Sequence, residues 1–99
     1  MQLGTHLTMA PEVLNGEDYN YKCDLWSLGV MIYQLFFKEY PYRGKTDTAL
    51  YKKIKNDGHK CLKKSGDSKL DNLIRNLLIL DPNKRYTWEQ YFNDEFFTN

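Results

Sequence analysis

The sequence lacks several features that would narrow its interpretation at once. Only two of its 99 residues are cysteine, and Cys23 and Cys61 show neither C-x-x-C spacing nor a paired histidine. They are expected to be reduced thiols, with a single disulfide as the alternative. The longest apolar stretch, near Leu28 to Phe37, is interrupted by Gln34 and is about half the ~20 residues that a membrane-spanning helix needs. No N-terminal stretch resembles a signal peptide. We therefore expect an intracellular, cytoplasmic protein that does not associate with membranes.

An excess of charge of one sign is also missing. The chain has 14 Lys and Arg against 13 Asp and Glu, a net charge of +1. This balance argues against a nucleic-acid partner, because such proteins carry a clear basic excess. A small basic DNA-binding bundle is therefore only a minor alternative. The charge is nevertheless uneven, since residues 45–69 hold eight Lys and three Asp, a net +5 against −4 elsewhere. Such a stretch is typical of a solvated loop and helix face, and an acidic partner surface is the alternative.

The chain does contain enough apolar residues for one folded core. Hydrophobic residues make up 41% of it, and the aromatic residues are eight Tyr, five Phe and two Trp. This composition is too apolar for a disordered tail. A chain of this length has room for one small domain at most.

Two helices are predicted in the first third of the chain. Pro11 suits the first turn of a helix and Asn15-Gly16 suits its end, which predicts a single turn over residues 11–14. From Lys22 to Phe37, apolar residues cover nearly the whole circumference of a helix. That pattern is typical of a segment buried on all sides, although a chain of this size struggles to surround such a helix.

Three more helices are predicted after the chain breaks at Pro41 and Gly44. Thr46 or Asp47 can cap a short helix with a basic polar face. Ser68 is predicted to cap the next helix, in which six residues form one apolar stripe. The stripe consists of Leu70, Leu73, Ile74, Leu77, Leu78 and, less regularly, Leu80. A T-x-x-Q capping box starting at Thr87 begins the last helix. Nothing indicates a strand, so the predicted fold class is all-α.

Three short motifs in a fixed order resemble a known family. They are Met9-Ala10-Pro11-Glu12, Asp24-Leu25-Trp26-Ser27-Leu28-Gly29 and Asp81-Pro82-Asn83-Lys84-Arg85. The first contains A-P-E, which ends the activation segment of protein kinases. Together they resemble the second half of a eukaryotic serine/threonine protein kinase domain, closest to kinases of the calmodulin-dependent and autophagy-initiating type. The resemblance covers residues 4–97, with residues 1–3 as an activation-segment remnant and 98–99 as a tail. It implies a C-terminal-lobe helical subdomain without the N-terminal lobe or the catalytic loop.

The resemblance implies a substrate-docking role for residues that precede A-P-E. Gly4-Thr5 resembles the family's G-T, whose threonine contacts the catalytic Asp and Lys and marks serine/threonine specificity. His6 stands where the family usually has proline, and Thr8 where it usually has tyrosine. Thr5, His6 and Thr8 are therefore the candidate docking residues, and the last two put the usual peptide recognition in doubt.

The resemblance also implies structural roles for residues of the three motifs. Glu12 and Arg85 would form a buried ion pair that ties the activation segment to the last helices, which suits the fork geometry of arginine. Asp24 would accept hydrogen bonds from the backbone of the catalytic loop. Trp26 and Gly29 would pack in the core.

The catalytic motifs of the family are missing from this sequence. There is no G-x-G-x-x-G, no V-A-I-K, no His-Arg-Asp and no Asp-Phe-Gly. Phosphoryl transfer needs residues that position nucleotide, metal and hydroxyl together. In the family these residues precede Gly4, so we expect no catalytic, cofactor-binding or metal-binding residue here, with ATP and Mg²⁺ belonging to the intact kinase. Met1 is interpreted as internal, in a truncated product, a mispredicted start or a fragment.

Two functional hypotheses remain open from the sequence. The first is that the chain supplies the substrate-docking and scaffolding half of a serine/threonine kinase and is inactive alone. The second is a non-catalytic helical protein-interaction module, a pseudokinase-like remnant that uses residues 45–69 or the apolar helix as its binding surface. Either hypothesis implies a protein substrate or partner, and neither specifies an oligomeric state.

Overall fold

Helices are the regular structure of this chain in the computed structural model, which describes residues 5–98 and, for Thr5, the backbone alone. The α-helices are α1 (Pro11–Leu14), α2 (Tyr21–Phe37), α3 (Asp47–Asp57), α4 (Ser68–Leu77) and α5 (Trp88–Phe92). Short 3₁₀ turns at Thr5–Thr8 and Glu95–Phe97 flank them. No strand occurs within residues 5–98, and the all-α prediction is confirmed.

Side chains that accept hydrogen bonds from backbone N–H groups cap the starts of these helices. Asn20 caps α2 through the amide of Lys22 at 2.8 Å, and Thr46 caps α3 through the amide of Ala49 at 3.1 Å. Thr87 and Gln90 form the complete capping box that the sequence predicts for α5. Each cap satisfies amides that the first helical turn would otherwise leave without a partner.

The predicted cap of α4 is wrong by one residue. The Asp67 carboxylate, and not the Ser68 hydroxyl, accepts from the amides of Lys69 at 3.0 Å and Leu70 at 3.3 Å. Ser68 is instead the first residue of the helix. A carboxylate at this position also interacts favourably with the positive end of the helix dipole, which a hydroxyl does not match.

Helices α2 and α4 form the centre of the molecule. Gly29 lies at their contact, where an added Cβ would come within 2.8 Å of Leu77 Cβ and 2.9 Å of Leu78 Cδ2. The predicted stripe of α4 is buried as far as Leu78. Leu80 does not belong to it, because α4 ends at Leu77 and Leu80 is 40% exposed.

The apolar pattern of α2 is typical of a helix buried on all sides, but this chain covers it on one side only. One side of the helix is buried and includes Leu25, Trp26, Val30 and Tyr33. The other side leaves Met31, Leu35 and Phe36 more than half exposed. The remaining helices are too few and too short to surround a 17-residue helix, as the length of the chain indicates.

Candidate functional site

A buried ion pair joins the beginning of α1 to the segment after α4. Arg85 Nη1 lies 2.8 Å from Glu12 Oε2 and Arg85 Nη2 lies 2.9 Å from Glu12 Oε1, so the pair is bidentate. The two residues are 73 positions apart in the sequence. Arg85 is 1% exposed and Glu12 is 6% exposed. The geometry fixes both the distance and the orientation of the two segments.

All five N–H donors of the Arg85 guanidinium are used. Besides the two bonds to Glu12, Nη1 donates to the Lys22 carbonyl at 2.7 Å, Nε to the Ile79 carbonyl at 3.0 Å and Nη2 to the Leu80 carbonyl at 3.3 Å. A buried guanidinium is stable only when its donors are satisfied in this way. Lysine could not replace it, because an ammonium group has three donors and no planar fork.

Local turns hold each partner of the pair in place. Pro11 opens α1 and puts Glu12 in its first turn, where a proline costs no hydrogen bond. On the other side, the Asp81 carbonyl accepts from the Arg85 amide at 3.2 Å and so closes the turn that carries Arg85. The Lys22 ammonium group donates to the carbonyls of Pro82 at 2.6 Å and Arg85 at 2.8 Å. This turn is therefore anchored to the start of α2.

Burial alone would raise the pKa of Glu12, but the hydrogen bonds and charge of Arg85 hold that pKa below its usual value of 4.5. The Cys23 thiol donates to the same carboxylate oxygen, with Sγ 3.3 Å from Glu12 Oε2. Burial and the neighbouring Glu12 raise the pKa of Cys23. Near neutral pH the site therefore holds an ionised carboxylate beside a protonated thiol.

Trp26 and Gly29 lie inside the core. The Arg85 guanidinium carbon is 5.3 Å from the centre of a Trp26 ring, a cation–π contact that adds to the ion pair. Trp26 is 1% exposed, and its indole Nε1 has no hydrogen-bond partner among the described residues. Both residues thus serve packing, and neither reaches toward solvent.

Asp24 is exposed at the start of α2 and accepts a hydrogen bond from the Tyr19 hydroxyl. That bond raises the pKa of Tyr19. The described part of the chain contains no catalytic loop whose backbone could donate to Asp24. The family role of Asp24 therefore stays a prediction.

The candidate docking residues lie on the first 3₁₀ turn, which two contacts hold against the rest of the molecule. His6 Nε2 lies 2.8 Å from the Gly44 carbonyl oxygen, and the Ser27 hydroxyl donates to the Thr8 carbonyl at 2.7 Å. Gly4 and the side chain of Thr5 lie outside the described residues. The turn is therefore positioned by α2 and by the loop before α3.

No three His, Cys, Asp or Glu side chains within residues 5–98 lie together as metal ligands would. Helices long and apolar enough to cross a bilayer are likewise absent from this range. What the arrangement of Glu12 and Arg85 can do is hold chain segments in register.

Sequence reasoning missed the contributions of Lys22 and Cys23. These two consecutive residues lie in the first turn of α2, directly after Tyr21, and neither belongs to a motif. A signal did exist for Lys22, because a lysine in the first turn opposes the helix dipole and so needs another partner. No comparable signal pointed to Cys23, whose role depends on where Glu12 lies.

The comparisons with known proteins agree on one family. A family model described as "Protein kinase domain" matches residues 1–97. The chain is 39% identical over 98 residues to serine/threonine-protein kinase ATG1 of Kluyveromyces lactis, covering 96% of this chain and 12% of that protein. It is 33% identical to mouse serine/threonine-protein kinase 33, covering 96% of this chain and 20% of that protein. It therefore spans a fifth or less of each of these relatives.

The fold is also similar to a solved kinase structure. The twitchin kinase region of C. elegans superimposes with a TM-score of 0.80 and 28% sequence identity, covering 100% of this chain and 18% of that one. The sequence comparison and the structure comparison thus both match nearly all 99 residues to protein kinases. The chain belongs to the protein kinase domain family.

Proposed function

We propose that this chain is the C-terminal-lobe part of a serine/threonine protein kinase. In this proposal it supplies the substrate-docking turn and the scaffold helices, and it transfers no phosphate by itself. The observation that carries the proposal is the buried Glu12–Arg85 pair, which ties the A-P-E motif to the segment after α4 through two charge-assisted bonds. An ion pair that costs desolvation at both partners here joins the first and the third of the kinase-like motifs.

The proposed inactivity follows from what phosphoryl transfer requires. The γ-phosphate must be held with Mg²⁺ and an attacking hydroxyl, and the protein contributes positioning and charge stabilisation. Residues 1–99 contain none of the family's motifs for these contacts. ATP and Mg²⁺ are therefore proposed to bind the intact kinase through residues outside this chain. The proposed partner is a protein substrate, and the proposed location is the cytoplasm.

The docking role is proposed for Thr5, His6 and Thr8. Support comes from the two contacts that fix their turn, His6 to the Gly44 carbonyl and Ser27 to the Thr8 carbonyl. A turn held on both sides can present its outer surface to an extended peptide without first being ordered.

A phosphotransfer assay tests the inactivity. The purified chain is incubated with Mg²⁺-ATP and a mixed peptide library, and products are read by mass spectrometry. No phosphopeptide above the level of a chain-free mock purification is expected. ATP-dependent phosphorylation that co-purifies with the chain through two different columns would contradict the proposal.

The transcript sequence upstream of Met1 gives a second test. In-frame His-Arg-Asp and Asp-Phe-Gly motifs are expected there. A stop codon in their place would contradict an intact kinase.

A second candidate is a non-catalytic helical interaction module. It is favoured by one observation, the exposure of Met31, Leu35 and Phe36 on α2, which leaves an apolar surface for a partner. Slow amide exchange throughout residues 25–37, on the exposed side of α2 as well as the buried side, would favour this module. Binding of an apolar dye to the folded chain would favour the kinase fragment.

A further inference from the structure

A surface cavity of about 350 Å³ lies beside the proposed docking turn. One wall is Leu7, at the middle of the 3₁₀ turn, and the other is the loop segment Arg43, Gly44 and Lys45 before α3. None of these four residues belongs to the three sequence motifs. The cavity therefore joins the docking turn to a loop that is distant in the sequence.

Leu7 and the backbone of Gly44, which line this cavity, are held in position. His6 Nε2 lies 2.8 Å from the Gly44 carbonyl oxygen and links the turn directly to the loop. Gly44 packs so closely on α3 that an added Cβ would lie 2.5 Å from the Leu50 amide nitrogen, so only glycine fits there. Leu7 is half-buried against the core. The cavity thus exists before any ligand binds.

The two side chains at its rim are cations that pair with no carboxylate within residues 5–98. Arg43 and Lys45 are both exposed, and neither forms a salt bridge within residues 5–98. Arg43 instead lies over the Tyr40 ring, 5.8 Å from its centre. Asp47 follows two positions later and pairs with neither cation in the described structure. The rim is therefore positive, and the Leu7 wall is apolar.

We propose that this cavity selects acidic peptide segments, in which an apolar side chain packs on Leu7 and flanking Asp or Glu carboxylates pair with Arg43 and Lys45. The inference rests on the proposed docking function and adds the substrate class to it. Charge complementarity fixes the choice, because a basic peptide would place like charges together at the rim. The apolar side chain accounts for the Leu7 wall, which a purely electrostatic site would not need.

Peptide titrations followed by the amide resonances of the 99-residue chain test this inference. The probes are three otherwise identical peptides in which one leucine is flanked by two Glu, two Gln or two Lys. Exposed ion pairs are modest, so the Glu peptide should bind about threefold to tenfold more tightly than the Gln peptide, and the Lys peptide more weakly still. Shifts should concentrate at Leu7 and residues 43–45. The preference should shrink at high salt, since the pairs are exposed.

A matched pair of double variants separates this cavity from general charge attraction. Arg43→Glu/Lys45→Glu changes the rim, and Lys60→Glu/Lys69→Glu changes the net charge equally at exposed lysines that do not line it. The Glu-over-Gln preference should disappear in the first variant and persist in the second. Circular dichroism is expected to show the same helical content for both variants.

The results of these titrations distinguish a failure of the acidic selectivity from a failure of the proposed docking function on which it rests. A preference that survives Arg43→Glu/Lys45→Glu, or falls equally in both variants, would overturn the acidic selectivity and leave docking in place. No binding of any of the three peptides would contradict the docking role itself. A Glu peptide whose leucine is replaced by serine should bind at least about threefold more weakly, and unchanged binding would contradict the role of Leu7.

Discussion

Replacement of Arg85 by alanine is the most direct test of the ion pair. The variant leaves the Glu12 carboxylate buried, with the Cys23 thiol as its one side-chain donor among residues 5–98. It also removes the donors to the carbonyls of Lys22, Ile79 and Leu80. We expect a loss of about 3 to 5 kcal/mol in the free energy of unfolding, the usual cost of an uncompensated buried charge. Domains of this size have about 5 to 15 kcal/mol in total, so much of the chain's stability would be lost.

Urea denaturation followed by circular dichroism measures this loss. Lys53→Ala is the matched control, because it breaks the exposed Lys53–Asp57 pair, whose side chains are 56% and 31% exposed. That pair should contribute at most about 0.5 kcal/mol. Removing both charges in Glu12→Gln/Arg85→Ala should cost less than Arg85→Ala alone, since no charge is then left unpaired. A loss below about 1 kcal/mol for Arg85→Ala, comparable to the control, would refute the reasoning.

Three further predictions concern single side chains. Because the pKa of Glu12 is lowered in the folded chain, its contribution to stability is present above pH 4.5 and is lost as the pH falls below that value. The wild type and Glu12→Gln should therefore differ less in their urea midpoints at acidic pH than at neutral pH. Gly29→Ala should lose about 1 to 3 kcal/mol in urea titration, because its Cβ would lie 2.8 Å from Leu77 Cβ; an unchanged midpoint would show that α4 can move away. Asp67→Ala should lower the free energy of unfolding by about 0.5 to 2 kcal/mol, and Ser68→Ala should lower it by less than half as much. The reverse order would show that Ser68 caps α4, as the sequence predicts.

Local patterns in the sequence predicted the helices well. The stripe of α4, the capping box at Thr87 and the short turn after Pro11 each depend on residues a few positions apart, and the structure has all three. The cap of α4 was misplaced because Asp67 and Ser68 are both good caps, and only the backbone angles decide between them. The apolar pattern of α2 shows which side chains are apolar but not how many neighbours exist to cover them, and only the length of the chain indicated that the helix would be covered in part.

The candidate site depended on a different kind of information. Nothing in the spacing of Glu12 and Arg85 indicates that residues so far apart meet, and only the resemblance to kinases suggested it. The cavity at Leu7 was not foreseen, because it requires that the first 3₁₀ turn and residues 43–45 lie side by side. Arg43 and Lys45 on either side of a glycine were the one available hint, and exposed basic residues are common enough to give little weight to it.

The bonding of Arg85 also has a consequence for local opening of the chain. One guanidinium bridges α1, the first turn of α2 and the backbone just after α4, so none of these can separate without breaking bonds to the others. Fraying at one place is therefore shared by all three. In native-state hydrogen exchange, amides of these three stretches should report a single opening free energy and behave as one cooperative unit, even though they come from opposite ends of the polypeptide.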